Sequence, residues 1–107
     1  MTPKEILEGE IADKLKKNPD KVKAVSSVVE FVVTGKDGGT WTIDCTKPGG
    51  QVKSGSTGSA NLTVTVSDTD FVDVYTGKLN PQMGFFSGKI KLKGDMGLAM
   101  KLGNILK

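Results

Sequence analysis

Apolar and polar positions change their rhythm four times along this chain. From Ile6 to Leu15 the apolar residues Ile6, Leu7, Ile11 and Leu15 recur at helical spacing. Thr2-Pro3-Lys4-Glu5 supplies the start: a capping threonine, a proline at the first helical position and a glutamate that completes a capping box. Asn18-Pro19 ends this helix and opens a shorter one through Val25. From Val28 the period falls to two. Val29, Phe31 and Val33 alternate with Glu30 and Thr34, Gly35-Lys36-Asp37-Gly38-Gly39 makes a hairpin turn, and Trp41, Ile43 and Cys45 continue the inward face. A Gly/Ser-rich passage from Lys47 to Ser59 holds one apolar anchor, Val52, which predicts a short strand between loops. Leu62, Val64 and Val66 mark a further strand, and Ile90 and Leu92 alternate with Lys89, Lys91 and Lys93 in the last.

Two capped helices separate those final strands. Ser67-Asp68-Thr69-Asp70 is a helix start, with Phe71, Val74 and Tyr75 on one face until Gly77 stops it. Asn80-Pro81 starts another, carrying Gln82, Met83, Phe85 and Phe86. The last helix, Met96 to Leu106, is apolar nearly all round and should be buried on both sides. About five strands, each with one apolar and one polar face, make a sheet covered on one side and wet on the other. Glu30, Asp44, Thr42, Thr63, Thr65 and the lysine stripe fall on the wet side. The whole is an α+β domain spanning 1–107, its single core bounded by its 107 residues.

Composition removes several kinds of chemistry. The chain has no histidine, hence no common general base, no Ser-His or Cys-His nucleophile and few routes to a transition metal. Cys45, the single cysteine, sits in an alternating run and reads as a buried structural thiol. With no second cysteine and no hydrophobic leader behind Met1, the expected setting is intracellular and reducing. All fifteen basic residues are lysines. A net charge of +3 without arginine fits weak attraction to anionic membrane surfaces better than nucleic-acid readout. The glycine pairs lack a phosphate-loop pattern. What remains is an excess of apolar faces for so short a chain, with three adaptable methionines, Met83, Met96 and Met100, among them. That excess is either all core or the wall of a lipid-sized pocket.

A resemblance decides between them. Gly39-Thr40-Trp41-Thr42-Ile43-Asp44, Ser67-Asp68 through Phe71, Thr76 through Gln82, Phe85 through Gly94 and Met96 through Leu102 resemble the sterol carrier protein 2 family of lipid-binding domains. The likeness extends to the version fused at the C-terminus of the peroxisomal multifunctional enzyme of β-oxidation. It implies a five-stranded sheet with four to five helices packed on one face, enclosing a hydrophobic tunnel. It implies a monomeric carrier of fatty acids, fatty acyl-CoAs, sterols or phospholipids that moves them between membranes, with no cofactor, no metal and no catalysed reaction. The alternative is a domain that presents lipid substrates to a β-oxidation enzyme. Carried over position by position, the tunnel wall comprises Phe31, Trp41, Ile43, Phe71, Val74, Met83, Phe86, Leu92, Met100, Leu102 and Ile105, with Gln82 turned inward as a polar anchor. The last helix acts as a movable lid, and Leu102→Asp is expected to abolish binding while leaving a soluble fold. Kinship implies a peroxisomal location. The chain nevertheless ends at Asn104-Ile105-Leu106-Lys107 without a Ser-Lys-Leu-type signal, so a cytoplasmic location is the alternative.

Overall fold

The computed structural model describes residues 1–106, with side chains described as far as Gly103. Helix α1 begins as Pro3–Glu5, passes through the π-helical turn Ile6–Ile11 and continues as Ala12–Lys17; α2 is Pro19–Val25. Strands β1 (Val28–Thr34), β2 (Gly39–Asp44), β3 (Gln51–Ser54) and β4 (Leu62–Ser67) follow. Then come α3 (Asp68–Tyr75), α4 (Pro81–Phe86), β5 (Ile90–Gly94) and α5 (Gly97–Leu106). The sheet order is β3-β2-β1-β4-β5, antiparallel throughout except for the parallel pair β1 and β4.

The helix starts expected from the sequence are made. Thr2 Oγ1 accepts from the Glu5 N–H at 3.3 Å while Glu5 Oε1 accepts from the Thr2 N–H at 3.0 Å. Ser67 Oγ accepts from the Asp70 N–H at 3.1 Å, and Asn80 Oδ1 from the Gln82 N–H at 2.9 Å. The π turn in α1 was not legible in the 3.6-residue pattern. Its bonds span five residues, which lets Ile6 and Ile11, five apart and both fully buried, share the inward face.

Register turns the alternating strands into rows. On the inner face Val52, Ile43, Val29 and Leu62 lie side by side, then Trp41, Phe31, Val64 and Leu92, then Val33, Val66 and Ile90. Helix α1 packs on the β3 side, α3 on β1 and β4, and α4 on β5, while α5 lies against α2 and the end of α1. The outer face carries Lys53, Thr42, Glu30, Thr63 and Lys93 in one row. One part of that face is not wet as expected. Thr42 is buried because the Gly/Ser passage folds over it: its hydroxyl donates to the Gly55 carbonyl at 2.7 Å, and Ser56 Oγ donates to Glu30.

The last helix also departs from expectation. Leu98 and Leu102 are buried, but Met96 and Met100 are exposed, so one face of α5 is covered rather than two. It packs chiefly on α2 and the end of α1, so only the face turned toward them is covered. Among the described residues no helix is long and apolar enough to cross a membrane.

Asp68 joins two elements that sequence spacing keeps apart. Its carboxylate accepts the Asp37 N–H at 3.0 Å and the Thr69 N–H at 2.8 Å, tying the start of α3 to the β1–β2 turn. Gly35 is at φ 103° there, and a Cβ on it would come within 2.4 Å of Asp68 Oδ1, so the contact requires glycine. The two backbone donors hold the Asp68 carboxyl below its ordinary 3.8. A carboxylate with a depressed folded-state pKa stabilises above the unfolded value, and that stability is lost as pH falls through the folded one. Asp68→Asn is therefore expected to lower the urea midpoint at neutral pH. The gap from the parent should close on acidification below 3.8; a gap that persists there would rule out an ionic origin.

Candidate functional site

The inner face builds one continuous apolar wall. Trp41, Phe31, Val64 and Leu92 form its middle row because β2, β1, β4 and β5 place them at matching register positions. Phe71, set one turn into α3 by the Ser67 cap, meets Phe31 edge to face with ring centroids 5.9 Å apart and planes at 74°. Trp41 is 5 % exposed, and its indole N–H donates to Glu8 Oε2 on α1 at 2.8 Å. That partner was invisible in the sequence, where Glu8 reads as an ordinary exposed helix residue. Tyr75 is held likewise: its hydroxyl donates to Glu10 Oε1 at 3.3 Å, and Lys14 Nζ stands 4.6 Å over its ring.

The structure sorts the twelve candidate residues by depth. Phe31, Trp41, Ile43, Phe71 and Leu102 are buried in the common core. Val74 and Leu92 are half-buried against it. Met83, Phe86 and Met100 lie outside, exposed by 65 %, 82 % and 77 %, and Gln82 is exposed beside them at the start of α4 rather than turned inward. The Ile105 side chain lies outside the described residues. Middle-row residues and Phe71 are thus brought together, whereas the α4 residues and Met100 face solvent. Gly84 explains the α4 arrangement. It is the buried position of that helix, and a Cβ there would come within 2.8 Å of Ile90 Cδ1 and 3.5 Å of Leu79 Cδ2. With its glycine pressed inward, α4 presents Met83, Phe85 and Phe86 outward.

Two hollows open elsewhere. One of about 360 Å³ lies between α1 and β3 against Ala12, Lys16, Gly50 and Val52; another of about 200 Å³ lies beside Pro3, Asp68 and Val72. None of the eleven candidates with described side chains lines either.

Chemically reactive groups are occupied in local structure. Cys45 is buried, and burial, reinforced by the neighbouring Asp44 charge, pushes its thiol up to about 11, away from the reactive thiolate. Burial acts to raise the Asp44 carboxyl, but hydrogen bonds from Thr46 and the charges of Lys47 and Lys53 outweigh it and hold it below its ordinary value. Among the described residues no group of His, Cys, Asp and Glu is placed to hold a metal ion.

A family model described as the SCP-2 sterol transfer family matches residues 5–107. The chain belongs to that family. It is 43 % identical over 88 residues to hydroxysteroid dehydrogenase-like protein 2 of Bos taurus, covering 81 % of this chain and 21 % of that protein. It is 42 % identical over 100 residues to human sterol carrier protein 2, covering 90 % of this chain and 18 % of that one. The chain therefore spans about a fifth of the length of these curated relatives. Among solved structures, the sterol carrier protein domain 2 of Helicoverpa armigera superposes with a TM-score of 0.75 at 33 % identity, covering 97 % of this chain and 88 % of that one. Membership of the SCP-2 family accounts for the five-stranded mixed sheet with its five helices, and it supports a role in binding and carrying lipid.

Proposed function

We propose that this domain carries one lipid molecule at a time, with the apolar body of a fatty acid, fatty acyl-CoA, sterol or phospholipid against the middle row of the inner face. In this reading α4 and α5 border the entrance, and Met83, Phe86 and Met100 close on the ligand when it is present. The single observation behind it is that family membership coincides with unsheltered large apolar side chains on α4 and α5, and with Leu92 and Val74 left only half-buried. Large apolar groups left in water are costly, and burying them against a ligand stabilises both. Methionine and phenylalanine contacts without a fixed polar partner favour breadth of ligand over selectivity. The reading assigns the domain no reaction, cofactor or metal, and places it as a monomer.

Native mass spectrometry of the recombinant protein tests this, followed by extraction of whatever it carries and titration of the delipidated form with fatty acid. A lipid retained at about one per chain, or saturable uptake by the delipidated form, is the expected result. A bare polypeptide that also refuses fatty acids, sterols and acyl-CoAs would end the carrier reading.

The lengths of the relatives favour a second reading, that the domain presents lipid substrates to an enzyme such as one of peroxisomal β-oxidation. Two relatives with different names each contain this domain as about a fifth of their length. Faster turnover of a lipid substrate when the domain is joined to its enzyme, with no effect on vesicle-to-vesicle transfer, would favour presentation over transport.

A further inference from the structure

Charge and exposed apolar surface are concentrated in the same third of this chain. Residues 1–75 hold nine lysines against eleven carboxylates, net −2, whereas residues 76–107 hold six lysines and one carboxylate, net +5. Apart from Met1, every large exposed apolar side chain among the described residues also falls in that last third: Met83, Phe85, Phe86, Met96 and Met100. The two properties meet most closely at α4. Phe85 and Phe86 stand together with centroids 5.9 Å apart. Lys78 and Lys89 lie three positions beyond the helix at either end, both exposed. Their positions are fixed by the backbone: the Lys89 N–H donates to the Gly84 carbonyl at 2.8 Å, and the Lys78 N–H to the Asp73 carbonyl at 2.8 Å.

We propose that α4, with its exposed phenylalanines and its flanking Lys78 and Lys89, is the surface by which this protein docks on an anionic lipid bilayer. A short apolar segment framed by cations suits the boundary between headgroups and acyl chains, where rings insert and ammonium groups stay with the phosphates. Composition favours a bilayer over a protein partner. Protein interfaces concentrate their affinity in Trp, Tyr and Arg, and residues 76–107 contain none of the three. Lysine, a compact hydrated charge on a flexible stem, needs no fixed geometry and so fits a fluid array of headgroups. Residues 14–23 also hold five lysines against one carboxylate, but no large exposed apolar side chain accompanies them, so only the last third of the chain joins positive charge to exposed rings.

The docking surface deepens the carrier reading, because it sets the bordering helix at the membrane, yet the two fail separately: lipid uptake in vesicle-free solution tests the carrier. The test here is co-sedimentation of the whole chain with phosphatidylcholine vesicles, with and without a minority of phosphatidylserine. Binding is expected only with the anionic lipid and should weaken with salt. Lys78→Glu with Lys89→Glu should reduce it by roughly 25-fold, at about fivefold for each lysine. Phe85→Ser should reduce it on the order of tenfold through the lost apolar insertion. Lys36→Glu with Lys47→Glu makes the same change of net charge elsewhere and should leave binding near the wild-type level. Equal losses in the two lysine pairs would overturn the proposal in favour of unspecific charge attraction. Equal binding to both vesicle types, or to neither, would overturn it outright.

Discussion

Ile43→Ala is expected to cost about 2–5 kcal/mol of folding stability, lowering the melting temperature by on the order of 10–30 °C. Ile43 has no exposed surface and sits in the row with Val52, Val29 and Leu62, where rigid strands on both sides prevent collapse into the space left behind. A small domain has only about 5–15 kcal/mol in total, so the variant should approach the limit of folding at physiological temperature. Phe86→Ala is the contrast. At 82 % exposed it should change the unfolding free energy by less than about 0.5 kcal/mol, while weakening uptake of fatty acid by the delipidated protein. Urea titration of both variants, with a lipid-binding isotherm for the second, separates core from entrance. A large stability loss in Phe86→Ala, or a negligible one in Ile43→Ala, would contradict the depth assigned to each.

The two faces of α5 should behave as differently. Leu102→Asp looked, from the sequence, like a probe of ligand contact on a lid. The structure puts Leu102 at 3 % exposure, where α5 packs on α2, so the substitution buries a carboxylate among apolar groups. An unpaired buried charge costs several kcal/mol, enough to detach α5 or unfold the chain. Loss of lipid binding in that variant would therefore follow from loss of structure. Met100→Asp, two positions away and 77 % exposed, should keep the parent urea midpoint and still weaken lipid uptake, since it places a charge at the entrance. Native-like stability in Leu102→Asp would show that α5 contributes little to the fold; unchanged uptake in Met100→Asp would remove that side chain from the proposed site.

These contrasts mark where one-dimensional pattern stops being informative. Alternation placed Phe31, Trp41, Ile43, Val64 and Leu92 on the inner face, and the register confirms it, because a strand has only two faces and a one-residue slip would expose every apolar side chain at once. The helix starts at Thr2, Ser67 and Asn80 were equally legible, since each depends on a residue two or three positions along the same chain. Depth was not legible. Met83, Phe86 and Met100 carry the same apolar signal as Leu98 and Leu102, yet only the latter pair is covered. Nothing local distinguishes them; the difference lies in whether another element packs on that side.

Secondary structure apart from the π turn of α1, the inner and outer faces of the sheet, the structural role of Cys45 and the kinship to the SCP-2 family were all contained in the chain as written. Each rests on residues near one another along it, or on motifs that survive without knowledge of packing. Four features depended on packing at a distance. They are the Trp41 bond to Glu8, the docking of Asp68 on the β1–β2 turn, the burial of Thr42 beneath Gly55, and the layer that leaves half of α5 and most of α4 open. Partners separated by 33, 31 and 13 positions meet through chain reversals whose geometry belongs to the sheet and not to any local run of residues. The open faces have the same origin: a helix takes its apolar stripe from its sequence, but only its neighbours decide which part of that stripe is sheltered from water.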